Sequence, residues 1–348
     1  MKLASLNDGT RDGALCVVSR DLKYATVAYD IAPTLQAALD DWDYLAPLLG
    51  ELYEQANRAP SGSRWFEFDP CRFAAPLPRA YAWIGASAYP SHMERLRSAR
   101  GLPLPEDFRK EPWLLNGRAD AALAGHEDIL LDDEALQLDL EAEIAVVTGD
   151  VPRGVKRERA GEHIRLFVLA NDLTARALVS AELTKGNGLF HAKTALAFAP
   201  VAVTPDELGA AWDGRRVHLP LEVQLNDEPL GLPHAGTDMA FDFPALIAAA
   251  ARMRDLRAGT IIGSGAVSNR DASVGACSLA EKRALQEEAL DAPLLRIGDR
   301  IRIEMRAADG QSIFGAIAQT VVHPDRRDPQ EGASSGASSD TAPADQAA

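Results

Sequence analysis

Two glutamates one residue apart, Glu141 and Glu143, are the residues whose type and spacing first suggest chemistry. They lie in Leu136-Gln137-Leu138-Asp139-Leu140-Glu141-Ala142-Glu143-Ile144-Ala145-Val146-Val147, where apolar and polar residues alternate as in a half-buried β-strand. Leu136, Leu138, Leu140, Ala142 and Ile144 share one face, and Gln137, Asp139, Glu141 and Glu143 the other. The strand rise sets the two glutamates roughly 7 Å apart at Cα. Like charges that close raise each other's pKa unless a cation lies between them. Either this is the solvated face of an ordinary strand, or its carboxylates hold a hard cation such as Mg²⁺.

Three further residues bear on that choice. Asp172 follows the apolar run 166–170 and precedes Leu173-Thr174-Ala175-Arg176. Asn-Asp at a strand end reads either as turn chemistry or as a ligand beside a loop. Lys193 precedes the mostly apolar stretch 195–203. It is either a surface lysine with a buried stem or a cation of the same site. His92 stands where the loop 85–91 enters a charged helix, as a capping residue or as a base.

The elements that must position these residues read as strand-rich from residue 76 onward. Residues 81–84 and 166–170 are short buried strands, 217–225 alternates into the Asn226-Asp227 turn, and 260–265 is a Gly-rich strand end. Residues 297–303 and 313–317 form a hairpin across Asp309-Gly310. Asp242 is the expected N-cap of a helix over 243–254, a short helix is expected over 157–163, and 182–190 reads as a loop. Ahead of these, residue 34 begins a helical pattern that Pro47 should kink or divide, and residues 59–63 look like a linker. The expected fold is α+β, mainly β: a mixed β-roll or sandwich catalytic domain over 73–323 behind a small N-terminal α/β domain over 1–72. The tail, 324–348, has no aromatic or large aliphatic residue and is expected to be disordered.

The composition bounds the function. A net charge of −15 over 348 residues argues against a broad nucleic-acid or anionic-membrane surface, and an anionic small-molecule substrate would need locally placed Arg, Lys or metal. Three scattered cysteines (Cys16, Cys71, Cys277) suggest reduced thiols. With no signal-like N-terminus and no long apolar run, a cytoplasmic location is expected.

In order and spacing, Glu141-Ala142-Glu143, Asn171-Asp172-Leu173-Thr174-Ala175-Arg176, Lys193, Gly263-Ser264-Gly265-Ala266-Val267-Ser268 and the closing Ile297-Gly298-Asp299-Arg300-Ile301 resemble the fumarylacetoacetate hydrolase family over about residues 75–322. The resemblance implies a homodimer with Mg²⁺, or alternatively Ca²⁺ or Mn²⁺, held by Glu141, Glu143 and Asp172. It implies His92 as the residue that activates water, three residues after the substrate-binding Tyr89. Glu281 or Glu94 would orient the histidine. Lys193 and Arg176 would hold a developing oxyanion or a substrate carboxylate, and Ala266 would line the substrate.

The chain also departs from the pattern. Gly85 stands where fumarylacetoacetase has a fourth acidic ligand, and Asp139 has no counterpart, which makes it a solvated neighbour in this reading. Leu115, Leu183, Val179 and Ala266 replace polar substrate contacts, so discrimination for a polar substrate is lost there. The expected function is Mg²⁺-dependent hydrolysis of a C–C bond in a 1,3-dioxo acid, in aromatic-compound or amino-acid breakdown. The alternatives are a decarboxylase, isomerase or hydratase of a 2-oxo acid using the same site, and a binding protein without turnover.

Overall fold

A computed structural model describes residues 1–58, 62–186, 188–287 and 293–326. Part of the expected linker and the tail from residue 327 lie outside the described residues.

Two sheets dominate. The larger runs, from one edge to the other, through Phe66–Glu67, Tyr24–Val27, Ala14–Val18, Lys2–Leu6, Ala202–Val203, Ile164–Ala175, Ala142–Thr148, Thr260–Gly263, Ala82–Ala86 and Leu114–Gly117. Leu138–Asp139 and Lys193–Phe198 also pair with the long strand Ile164–Ala175. The second sheet is ordered Glu228–Gly231, Glu222–Leu225, Arg300–Glu304, Ile317–Val322, Ile129–Leu130. The N-terminal strands join the larger sheet directly, through Lys2 opposite Val203 and Leu3 opposite Ala202.

The strand Ala142–Thr148 is buried along its whole length. Its alternation still divides two cores. Leu138, Leu140, Ala142, Ile144 and Val146 pack into one cluster, and Ala145 and Val147 into another with Trp83 and Phe198. The polar residues therefore occupy the end of a face that is otherwise core, which excludes the solvated-strand reading. Residues 134–136 form a 3₁₀ turn and Gln137 takes a left-handed φ of 52°, so pairing begins at Leu138 rather than Leu136.

Other differences have local causes. The helical stretch divides at Asp41 into Leu35–Asp40 and Trp42–Arg58, and Pro47 is accommodated in the second turn of the latter. There the ring nitrogen leaves the Asp43 carbonyl without its i+4 donor, a loss the helix bears without breaking. Asp242 caps its helix as expected, accepting from Ala245 N, but the helix ends at Ala250. A helix at Arg176–Thr184 extends into the stretch read as a loop. The partner of Arg300–Glu304 is Ile317–Val322, so the hairpin connection is longer than the Asp309-Gly310 turn implied.

Candidate active site

One register runs through the antiparallel pair at the centre of the larger sheet. Leu138 lies opposite Ala175, Asp139 opposite Thr174, and Ala142 opposite Asn171, while Asp172 N donates to Glu141 O at 3.0 Å between them. Residues directly opposite in an antiparallel pair share a face. That face therefore carries Asp139, Glu141 and Glu143 from one strand and Asp172 and Thr174 from the other. On the far side of Ile164–Ala175 the register shifts, because Leu173 opposes Ala195 but Thr174 opposes Lys193. Thr194 is the extra residue of a β-bulge, and the bulge turns Lys193 onto the carboxylate face.

The result is a buried constellation. Oxygens of Glu141, Glu143 and Asp172 lie within 4.8 Å of one another. Lys193 Nζ donates to Glu141 Oε2 at 2.7 Å, and to Asp172 Oδ2 and Thr174 Oγ1 at 2.8 Å. Arg176 Nη2 donates to Glu141 Oε1 at 2.6 Å and to Asp139 Oδ2 at 2.8 Å. Glu143 Oε2 accepts from Gly265 N at 2.9 Å. Any side chain at Gly263 would collide with Glu143 and the Trp83 ring, so glycine there is what lets the carboxylate lie flat against the strand.

The electrostatics separate the three carboxyls. Burial raises the pKa of each. For Glu141 the charges of Lys193, Arg176 and His92 outweigh burial and hold it below the usual carboxylate range. Glu143 is pushed well above that range by burial and then by Asp172 and Glu141, against only Lys193 and the Gly265 N–H. Asp172 is also raised, by burial with Glu141, despite Lys193 and a hydrogen bond from Trp83. Four buried carboxylates, Asp139 included, face two cations. A divalent cation would supply the charge this donor set lacks, and three carboxylates could hold a hard metal through oxygen alone.

Facing the triad is the helix Pro90–Ser98, which Pro90 starts. It points His92 Nε2 at Glu141 Oε1, 3.9 Å away. His92 Nδ1 is 2.8 Å from Glu281 Oε2, on the buried first turn of Leu279–Leu285. Glu94 pairs instead with Arg109 on the surface. Glu281 Oε1 in turn accepts from Arg95 Nη1 at 2.5 Å and Ser268 Oγ at 2.6 Å. Burial works against the charge of Glu281, but these partners and His92 hold its carboxyl below the ordinary value.

The structure brings together all nine residues singled out from sequence, with different roles in the architecture. Tyr89 is buried, lines the cavity and donates its hydroxyl to Ala235 O at 2.6 Å, so that hydroxyl is already engaged by the protein. Ala266 lines the same cavity, whose volume is about 600 Å³. Asp139 corrects the sequence reading: it is fully buried rather than solvated, bonded to Arg176 and to the N–H groups of Leu279 and Ala280. Its place two residues before Glu141 was the available signal. Thr174, two residues after Asp172, and Arg95, one turn after His92, were also passed over.

Comparison with known proteins points the same way. Residues 82–322 match the family model described as "Fumarylacetoacetate (FAA) hydrolase C-terminal", and residues 1–79 that described as "Fumarylacetoacetase N-terminal domain 2". An oxaloacetate tautomerase, YisK of Bacillus subtilis, is 28% identical over 208 residues, 59% of this chain and 64% of its own length. The mitochondrial oxaloacetate tautomerase FAHD2A of Bos taurus is 32% identical over 106 residues, 30% of this chain and 31% of its own. The chain thus spans less than two thirds of these curated relatives. Among solved structures, a putative HpcE protein from Mycobacterium smegmatis superposes with a TM-score of 0.67 at 21% identity, over 93% of this chain and all of the other. A maleylpyruvate hydrolase from Sphingobium sp. SYK-6, solved with manganese(II) and pyruvate, gives 0.62 at 17% identity over 93% and 99%. At these identities the superpositions establish the fold.

Proposed function

Because the chain belongs to the fumarylacetoacetate hydrolase family, we propose that it is a divalent-metal-dependent enzyme, with Mg²⁺ the first candidate, that hydrolyses a C–C bond in a 1,3-dioxo acid of the acylpyruvate type. The observation that carries the reading is the pairing of a buried carboxylate triad with an imidazole–carboxylate dyad across one cavity.

Glu141, Glu143 and Asp172 would hold the cation, which when bound would polarise the substrate's oxo oxygens as a Lewis acid. His92 supplies the proton transfer. With Nδ1–H donated to Glu281, the neutral ring presents Nε2 as acceptor, and Glu281 stabilises the imidazolium once it forms. In hydrolysis, Nε2 takes a proton from water as its oxygen bonds to the acyl carbon. The C–C bond then breaks, its electron pair stays on the methylene carbon, and that carbon takes up a proton. The products are a carboxylic acid and a 2-oxo acid. Lys193 and Arg176 lie beside the triad and stabilise the negative charge that develops over it.

A second reading is supported by the names of the relatives: tautomerisation of a 2-oxo acid such as oxaloacetate. It needs only that His92 move a proton between carbon and oxygen, with no water added.

The test is to assay the purified protein with and without EDTA on acylpyruvates, fumarylacetoacetate, fumarylpyruvate and oxaloacetate, beside Glu141→Ala and His92→Ala. Activity that survives both chelation and Glu141→Ala would sink the metal mechanism. Keto–enol interconversion without C–C cleavage selects the second reading, and metal-dependent binding without turnover selects a binding protein.

A further inference from the structure

The carboxylate face continues across the sheet. Ala145 lies opposite Gly263, and the parallel register of Thr260–Gly263 on Ala82–Ala86 carries that row to Gly85, which lies opposite Leu115. Residues along such a row share a face. From the triad the floor therefore passes over two glycines and ends on Leu115. A Cβ on Gly85 would be in ordinary contact with both Asp172 Oδ2, at 3.8 Å, and the Leu115 carbonyl oxygen, at 3.9 Å, so a single glycine lies between the carboxylates and this residue.

The surroundings of Leu115 are apolar. Val179 and Leu183, on the helix Arg176–Thr184, line the same cavity with Leu189 and Met93. Leu183 is 57% exposed, unusual for a leucine on a helix with a core at hand. Charge is distributed in the opposite sense to what a dianion needs. Among the described residues lining the cavity the cations are Lys193, Arg176 and Arg252. The first two are committed to the triad and Asp139. Arg252 is out at the solvent-exposed rim, paired with Glu111 at 2.5 Å, and Asp107 adds another carboxylate to the outer wall.

We infer that the site takes a mono-carboxylic oxo acid whose far end is an uncharged, apolar acyl group lying on Leu115, Val179 and Leu183, in preference to a dicarboxylic one. The inference rests on the proposed metal site, which would bind the oxo-acid head, and adds the class of substituent that fills the remaining cavity. A second carboxylate carried to that wall would be desolvated with no cation among Leu115, Val179 and Leu183 to meet it. An alkyl or aryl group would exclude water from it.

Calorimetric titration in Mg²⁺ tests this without relying on turnover. The ligands are pyruvate, 2-oxobutanoate, 2-oxopentanoate, 2-oxohexanoate and 2-oxooctanoate, against oxaloacetate and 2-oxoglutarate. We expect each added methylene to tighten binding by about fourfold, the factor equivalent to ~0.8 kcal/mol, until the wall is covered. The diacids should bind more weakly than the monoacid of equal length. Leu183→Lys, at an exposed helical position where folding is not at stake, should reverse that order, as should Leu115→Lys. Affinity flat with chain length, or diacids bound as tightly as monoacids, overturns the inference and leaves the metal-site reading standing. No Mg²⁺-dependent binding of any oxo acid overturns both.

Discussion

Asp139 and Arg176 are joined through a single oxygen: Arg176 Nε and Nη2 both donate to Asp139 Oδ2, at 3.0 and 2.8 Å. The other oxygen of Asp139 accepts from Leu279 N at 2.8 Å, at the start of the helix that carries Glu281. One buried carboxylate thus fixes both the guanidinium beside Glu141 and the turn that orients His92. Asp139→Ala should destabilise the fold by about 3–5 kcal/mol, the range for breaking a buried ion pair. Asp139→Asn keeps the shape but weakens both links, so kcat should fall more than KM rises. Denaturant unfolding together with steady-state kinetics checks both. An Asn variant with wild-type kcat would show that the linkage has no part in turnover.

Glu281→Gln should fold but melt below the wild type, because the amide keeps its oxygen for His92 Nδ1–H while its NH2 faces Arg95, which can only donate. It should lower kcat by about 10²–10³-fold, within the range for losing one proton-transfer group, since the imidazolium loses its counter-charge. KM should move little, because the triad is untouched. Glu94→Gln, whose native partner is Arg109 on the surface, serves as the control and should retain wild-type rates.

The two sides of this site differ in how far the sequence reveals them. Strand alternation, a period-two rule, puts Glu141 and Glu143 on one face, but only the family resemblance joins Asp172 to them, since it follows an unalternating apolar run. The placement of Lys193 depends on a bulge at Thr194, and single-residue bulges leave no mark in periodicity. Asp139 was misread because its partners lie 37 and 140 residues away, and local pattern reports exposure only relative to neighbours in sequence. The mixed, mainly β architecture follows from element types. That Lys2–Leu6 pairs with Ala202–Val203 does not, since nothing local in either strand specifies the other.

Gly263→Ala should abolish divalent-metal binding at a stability cost of about 1–3 kcal/mol, the range for overpacking a core. The added methyl collides with Glu143 and with the Trp83 ring, so one ligand must rotate out of the triad. Metal binding is read as the rise in Tm on adding Mg²⁺, since a cation that binds only the folded chain stabilises it by mass action. The wild type should show that rise and Gly263→Ala should not.

Gly85→Asp probes the same face from the other direction. Its Cβ would be in ordinary contact with Asp172 Oδ2 and Trp83 Nε1, 3.8 Å from each, with no collision. A further carboxylate beside the triad adds to the negative charge already buried there. The chelated variant should therefore melt below the wild type, while its rise in Tm with Mg²⁺ should be larger, as expected when ligand charge increases. An unchanged rise would place the new carboxylate outside the metal's reach.

The loop that delivers Lys193 gives a pH dependence of definite sign. Glu182 accepts from the backbone N–H groups of Phe190, His191 and Ala192, at 2.8, 2.8 and 3.1 Å, and lies 2.9 Å from His191 Nδ1. Desolvation opposes its charge, but the three N–H groups and His191 outweigh it and lower its pKa from 4.5 to about 2. A carboxyl depressed in the folded state stabilises that state in full above its unfolded pKa and loses the contribution as pH falls toward the folded one. Glu182→Gln should therefore have a lower Tm than the wild type at pH 7, and the gap should shrink between about pH 4.5 and 2. Because Ala192 immediately precedes Lys193, the same variant should lose kcat at neutral pH while still binding Mg²⁺. A Tm gap that stays constant down to pH 2 would mean the carboxylate is not held by these donors in solution.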